Sequence, residues 1–198
     1  ARHRLPDAGL ALNEFGLLTS RNDIHTVNPH LETVRYLMDA GAPLSVLGVQ
    51  GHMGGSFNPP VRLLEVLDRL SSTGLPIRIT EFTLRTEFPE IVERYSRDFL
   101  TVMFSHPSVI GVQTWGTRVM FEEDGSLTPA GKAWMDLIHG EWKTVASGAT
   151  DEAGLFSARG YLGRYTVTLT KGDLRLQTEI DLNRDKGDLI LTLSGRPD

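Results

Sequence analysis

Asn13 and Glu14, Gln50 and His52, Glu81, and Gln113 with Trp115 stand at or just beyond the ends of four short apolar stretches in a chain of 198 residues. Their types suit one chemistry. Amides and an imidazole hydrogen-bond hydroxyl groups, an indole stacks on a pyranose face, and a carboxylate attacks or stabilises an anomeric carbon. Glu81 is the sharpest of the set. In "PIRITE" Ile77 and Ile79 point to one face of a strand, and the period of two places Glu81 on that same face. An unpaired carboxylate is costly to bury there, so it needs either a cation or a task. Arg78 and Arg85 are the nearby cations; "GVQGHM" before and "QTWG" after favour the task. His52 taken alone reads as a structural histidine and gains weight from its place beside Glu81. Trp115 suits a core position as well as a sugar platform.

The elements that must position these residues repeat four times. "LALN" (Leu10 to Asn13), "SVLGVQ" (Ser45 to Gln50), "PIRITE" (Pro76 to Glu81) and "VIGVQTW" (Val109 to Trp115) read as strands. Helical spacing follows each, over Pro29 to Ala40, Pro60 to Ser72, Pro89 to Phe104 and Pro129 to His139, with Pro89 suited to a first helical turn. "DAGAPL" and "SSTGLP" read as helix exits, a Gly followed by a Pro. This cadence predicts an α/β fold with a parallel sheet, in which chemistry collects at the carboxyl ends of the strands. After "GEWKTVASGATDE" the texture changes. "LFSARGY", "RYTVTLT", "LRLQTEIDL" and "DLILTLSG" read as four strands of a small antiparallel unit, which gives an α/β domain over 1–144 and a β-rich domain over 145–198.

Composition narrows the partners. A formal net charge of -5 offers no basic field for nucleic acid or an anionic membrane surface. With no cysteine there are no disulfides or thiolate metal sites, and His25, His30, His106 and His139 have no ligand spacing. The Gly pair of "HMGGSF" lacks the Lys-Ser/Thr of a phosphate loop. No apolar run approaches a membrane span, and "ARHRLPDAGLALNEFG" has no signal-peptide core. No cofactor is expected.

Four of these stretches, in this order, resemble one family. "GLPIRITEFT" resembles the nucleophile strand, I-T-E-L-D, of family ten glycoside hydrolases, the endo-β-1,4-xylanases. "VLGVQGHMGGSFNP" is similar to that family's sixth strand and loop, G-I-G-x-Q-x-H, and "LALNEFG" to its fifth strand, N-D-Y-N. "YSRDFLTVMFSHPSVIGVQTWG" is similar to its seventh helix and eighth strand. The resemblance covers roughly Leu10 to Ile138. It implies strands five to eight, the C-terminal half, of a TIM (β/α)8 barrel and retaining hydrolysis of β-1,4-linked xylan. Glu81 would be the nucleophile and His52 its orienting partner, with Gln50, Asn13 and Trp115 lining the sugar subsites. It also implies a secreted or periplasmic full-length protein, and a partner in the missing N-terminal half of the barrel or in a second copy.

Three departures touch the binding surface: Thr83 stands where the family has Asp, Phe15 and Gly16 replace Tyr and Asn, and Glu14 replaces Asp. The family's acid/base Glu lies at the end of strand four, which places it upstream of Ala1. "LNE" at Leu12 to Glu14 imitates that motif, but only one strand separates it from Glu81, whereas the family places two. Glu14 is therefore read as a strand-five substitution. The rival reading is a non-catalytic carbohydrate-binding or structural half-barrel that assembles with a partner chain.

Overall fold

The computed structural model describes residues 3–54 and 57–183 and separates into two compact units, Ala1–His139 and Gly140–Asp198. In the first, strands β1 (Ala11–Glu14), β2 (Val46–Val49), β3 (His52–Gly54), β4 (Ile77–Arg85) and β5 (Val109–Thr114) form one parallel sheet. β1 pairs with β2, β2 with the start of β4, and β4 with β5; β3 pairs with the far end of β4. Helices α1 (Val27–Asp39), α2 (Pro60–Ser71), α3 (Pro89–Ser105) and α4 (Pro129–Met135) follow the expected order. Among the described residues β1 and β5 have no further strand beside them.

Local chemistry sets the element ends. Pro60, Pro89 and Pro129 open α2, α3 and α4, where the missing N–H costs nothing. Thr128 caps α4 by accepting the N–H of Gly131. Gly41 and Gly74 leave α1 and α2 at φ of 77° and 76°, a backbone that a side chain would strain. The last expected helix is shorter than the spacing predicts, because α4 ends at Met135 and a π-helical turn takes over at Asp136–Glu141.

The core lies between the sheet and the helices. Leu47, Val49, Ile77, Ile79 and Phe82 of the strands form one buried cluster with Leu63, Val66, Leu67, Leu70, Phe99 and Met103 of the helices. The Phe82 ring packs 4.6 Å from that of Phe99. This cluster corrects the period-two reading of β4. Ile79 pairs with Val112 and Phe82 with Thr114, so Thr80 and Glu81 together oppose Gln113 alone. The extra residue is a β-bulge. It passes the apolar face from Ile79 to Phe82 and takes Glu81 out of that face.

In the second unit β6 (Gly163–Lys171) and β7 (Leu174–Leu182) form a fully paired antiparallel hairpin across Gly172 and Asp173. The expected strand at Leu155 to Tyr161 is absent. The backbone donors at its two ends go to side chains: the Asp151 carboxylate accepts the N–H of Leu155, and the Thr144 hydroxyl that of Tyr161. The expected strand "DLILTLSG" lies outside the described residues.

Candidate active site

Glu81 sits on the bulge with both carboxylate oxygens engaged. Asn13 Nδ2 donates to Oε1 and His52 Nε2 to Oε2, each at 3.1 Å. Three strands supply these groups, and the sheet has features that allow each to arrive. Asn13 faces Gly48 in register, and a Cβ at Gly48 would stand 2.6 Å from Asn13 Oδ1. That vacancy lets the Asn13 side chain cross β2 to reach β4. Thr80 Oγ1 donates to Asn13 Oδ1 at 2.9 Å, which turns the amide so that its NH2 faces Glu81.

His52 reaches Glu81 through a second close approach. At Gly51, between β2 and β3, a Cβ would meet Ile79 Cγ2 at 2.9 Å and the Phe82 backbone at 3.2 Å. The Gly51 carbonyl accepts the Thr83 N–H at 3.1 Å, and His52 then pairs with Thr83 across the ladder. His52 Nδ1 lies 2.9 Å from Thr83 Oγ1. An ionised Glu81 only accepts, so Nε2 carries the hydrogen. In the neutral ring Nδ1 accepts from the Thr83 hydroxyl; in the imidazolium Nδ1–H donates to it. A carboxylate in place of Thr83 would serve only a ring that carries a hydrogen on Nδ1.

Trp115 follows β5, its N–H bonded to the Phe82 carbonyl, and its indole meets His52 edge-on with ring centroids 6.0 Å apart. Trp115 is 58% exposed, so it lies at the surface and not in the core. The Glu81 side chain is 15% exposed and His52 40%. That arrangement leaves a largely sheltered carboxylate beside an open aromatic face. Gln50 stands apart from this cluster: its backbone N–H bonds the Glu14 carbonyl, and its side chain touches neither Glu81 nor His52 by a hydrogen bond. Glu14 turns its carboxylate to the N–H of Phe15 at 2.8 Å. Neither Arg78 nor Arg85 forms an ion pair with Glu81, whose ionic partner among the described residues is His52. Among the described residues no three His, Asp or Glu side chains converge as a metal site would need.

Thr80 and Gly48 belong to the site although nothing in their types suggested it. The one available signal was a Gly inside a strand, "VLGVQ", which marks a close approach of neighbouring groups.

The profile described as "Glycosyl hydrolase family 10" matches residues 1–120. Endo-1,4-beta-xylanase 2 of Arabidopsis thaliana is 30% identical over 199 residues, covering 95% of this chain and 18% of its own length. Anti-sigma-I factor RsgI6 of Acetivibrio thermocellus is 35% identical over 172 residues, covering 80% of this chain and 22% of its own. Native xylanase 10B from Thermotoga maritima superposes with a TM-score of 0.61 at 19% identity, over 71% of this chain and 49% of that one. The chain thus spans about a fifth of the length of these curated relatives and about half of that barrel. Its sheet is a fragment of a TIM barrel, and the chain belongs to glycosyl hydrolase family 10.

Proposed function

We propose that this chain carries the nucleophile half of a retaining endo-β-1,4-xylanase. The reading rests on one observation above the rest: Glu81 is held by both oxygens, from Asn13 and His52, on a strand-end bulge beside an exposed indole. β1, β2, β4 and β5 then stand as strands five to eight of the barrel. Glu81 attacks the anomeric carbon as the glycosidic C–O bond breaks, and a glycosyl-enzyme forms. The leaving oxygen takes its proton from a second carboxylate about 5–5.5 Å away. On this reading that carboxylate is supplied from outside this chain; Glu14 instead turns to the backbone N–H of Phe15. Water then attacks the intermediate, and the deprotonated second carboxylate accepts its proton.

Holding Glu81 by two donors fixes its direction of attack. Trp115 offers a face for a sugar ring. Gln50, at the end of β2, lines a subsite without touching the nucleophile. The substrate is β-1,4-linked xylan or a related plant polysaccharide, and the N-terminal half of the barrel completes the enzyme along β1 and β5. The second unit, whose domain begins near residue 145, serves as an appendage.

In the protein that includes the rest of the barrel, Glu81→Gln should nearly abolish xylan hydrolysis and spare xylooligosaccharide binding. The amide keeps the shape but cannot act as an anionic nucleophile. Full hydrolysis in that variant sinks the reading. A second reading is a non-catalytic carbohydrate-binding or structural half-barrel that assembles with a partner chain; one relative's name, an anti-sigma-I factor, states a role other than hydrolysis. Sugar binding without any hydrolysis by the barrel-completed protein would decide for it.

A further inference from the structure

Behind Trp115 lies a pocket of about 240 Å³ that the Glu81 cluster does not use, between the far end of β4, the start of α3 and the segment after β5. Leu84, Val92, Val119 and Ala130 supply its apolar lining, and Arg85 and Arg118 its charge. No carboxylate lines it. Thr83 and Thr128 also border it, but their hydroxyls are engaged, with His52 and with the Val119 carbonyl. Arg85 forms no ion pair among the described residues. Arg118 pairs with Glu123, yet both side chains are largely exposed, and such pairs yield readily to a competing anion.

Two arginines beside apolar lining residues, with no carboxylate among them, are chemistry suited to an anion even in a protein of net charge -5. The volume falls below the roughly 300–1,000 Å³ of pockets that hold drug-sized ligands and suits one sugar ring. Trp115 and Thr83 belong to both the pocket and the candidate active site. A polysaccharide seated against Trp115 would therefore bring any group branching from it to the two arginines. We propose that this pocket is a subsite for a uronate branch on the polysaccharide, with Arg85 and Arg118 holding the branch carboxylate. This rests on the carbohydrate reading of the Glu81 site and adds to it the charge of the substrate.

The test is thermophoresis on the barrel-completed protein carrying Glu81→Gln, which should bind sugar without hydrolysing it, labelled and at nanomolar concentration in 0.15 M salt. The probes are a uronate-branched xylooligosaccharide, the unbranched oligosaccharide of the same length, and inorganic phosphate. The branched sugar should bind about tenfold tighter than the unbranched one, the gain expected of a charge-assisted carboxylate contact. Arg85→Gln and Arg118→Gln should each shrink that preference while leaving the unbranched affinity unchanged; both side chains are exposed, so neither change threatens folding. Equal affinity for the two sugars, or a preference that survives both substitutions, would overturn the subsite and leave the active-site reading intact. Phosphate binding as tight as the branched sugar would overturn it too, because the pocket would then hold any anion. Failure to bind either sugar would overturn the subsite together with the carbohydrate reading.

Discussion

The parallel sheet of the first unit and the hairpin of the second carry the same signal in sequence, apolar residues on alternate positions, and differ in what covers them. In β4 Ile77, Ile79 and Phe82 are fully buried under α2 and α3. In β6 and β7 Tyr165, Val167, Leu169, Leu176 and Ile180 share one face and stay only half-buried. Alternation thus announces an amphipathic strand, but only a second layer converts it into a core. The same contrast bears on chemistry. A strand end locked by a buried layer can hold a carboxylate in one direction; a two-stranded ribbon is marginal by itself.

The largest expected effect sets the two regions against each other. Phe82→Ala should cost about 3–5 kcal/mol, because it empties the space against Phe99 and Trp134, and hydrogen exchange should quicken across β2, β4 and β5. Leu176→Ala should quicken exchange only in the hairpin. Equal and global effects from both would erase the comparison.

A smaller effect concerns the sheet surface. Gly48→Ala places a methyl against Asn13 Oδ1, and the amide must withdraw from Glu81. We expect a cost of about 1–3 kcal/mol, as for overpacking, and loss of the protected Asn13 side-chain amide signal in NMR. No hairpin signal should move.

Acid should weaken the first unit selectively. His30 is buried on α1 with Nε2 unpartnered. Burial pushes its imidazole below the ordinary 6.5, and the charge of Glu14 only partly opposes this. The unfolded chain takes up a proton near pH 6.5 that the folded chain refuses. The stability difference is therefore absent above that pH and grows as a penalty below it. Melting followed from pH 7.5 to 5 should show a decline for the first unit that His30→Leu flattens, with the hairpin indifferent. A decline unchanged in His30→Leu would assign it to other groups.

The smallest effect is at Thr83. Thr83→Asp puts a second carboxylate on His52 Nδ1, where the hydroxyl now accommodates both states of the ring. In the barrel-completed protein the pH profile of hydrolysis should shift while stability changes little. An unshifted profile would show that the residue opposite His52 Nδ1 does not govern the pH dependence.

Much of this was legible in the residues, and the exceptions share a cause. The helices declared themselves by long amphipathic spacing opened by Pro60, Pro89 and Pro129 and closed by Gly41 and Gly74. The strand-end set was legible because polar groups interrupt apolar runs at the same end of successive strands, and Asn13, His52 and Glu81 do meet. The bulge was not. An extra residue leaves the types in "RITEF" unchanged, so counting by two ran through it and gave Glu81 the face that Phe82 occupies. β3 is only three residues long and lies within what read as a loop. Leu155 to Tyr161 lost its strand to side-chain acceptors, Asp151 and Thr144, whose capture of backbone donors is a tertiary outcome. Gln50 stands at the right strand end yet bonds neither partner, because position on a rim does not fix where a long side chain settles.

The central claim is that Glu81 is the attacking group, and a mechanism-based fluoroglycoside tests it most directly. The barrel-completed protein would be incubated with a 2-fluoro-xylobioside, digested, and its labelled peptide sequenced by mass spectrometry. The account predicts a covalent glycosyl ester on Glu81 and no label in Glu81→Gln. Label on Glu14 or on any other residue would contradict it.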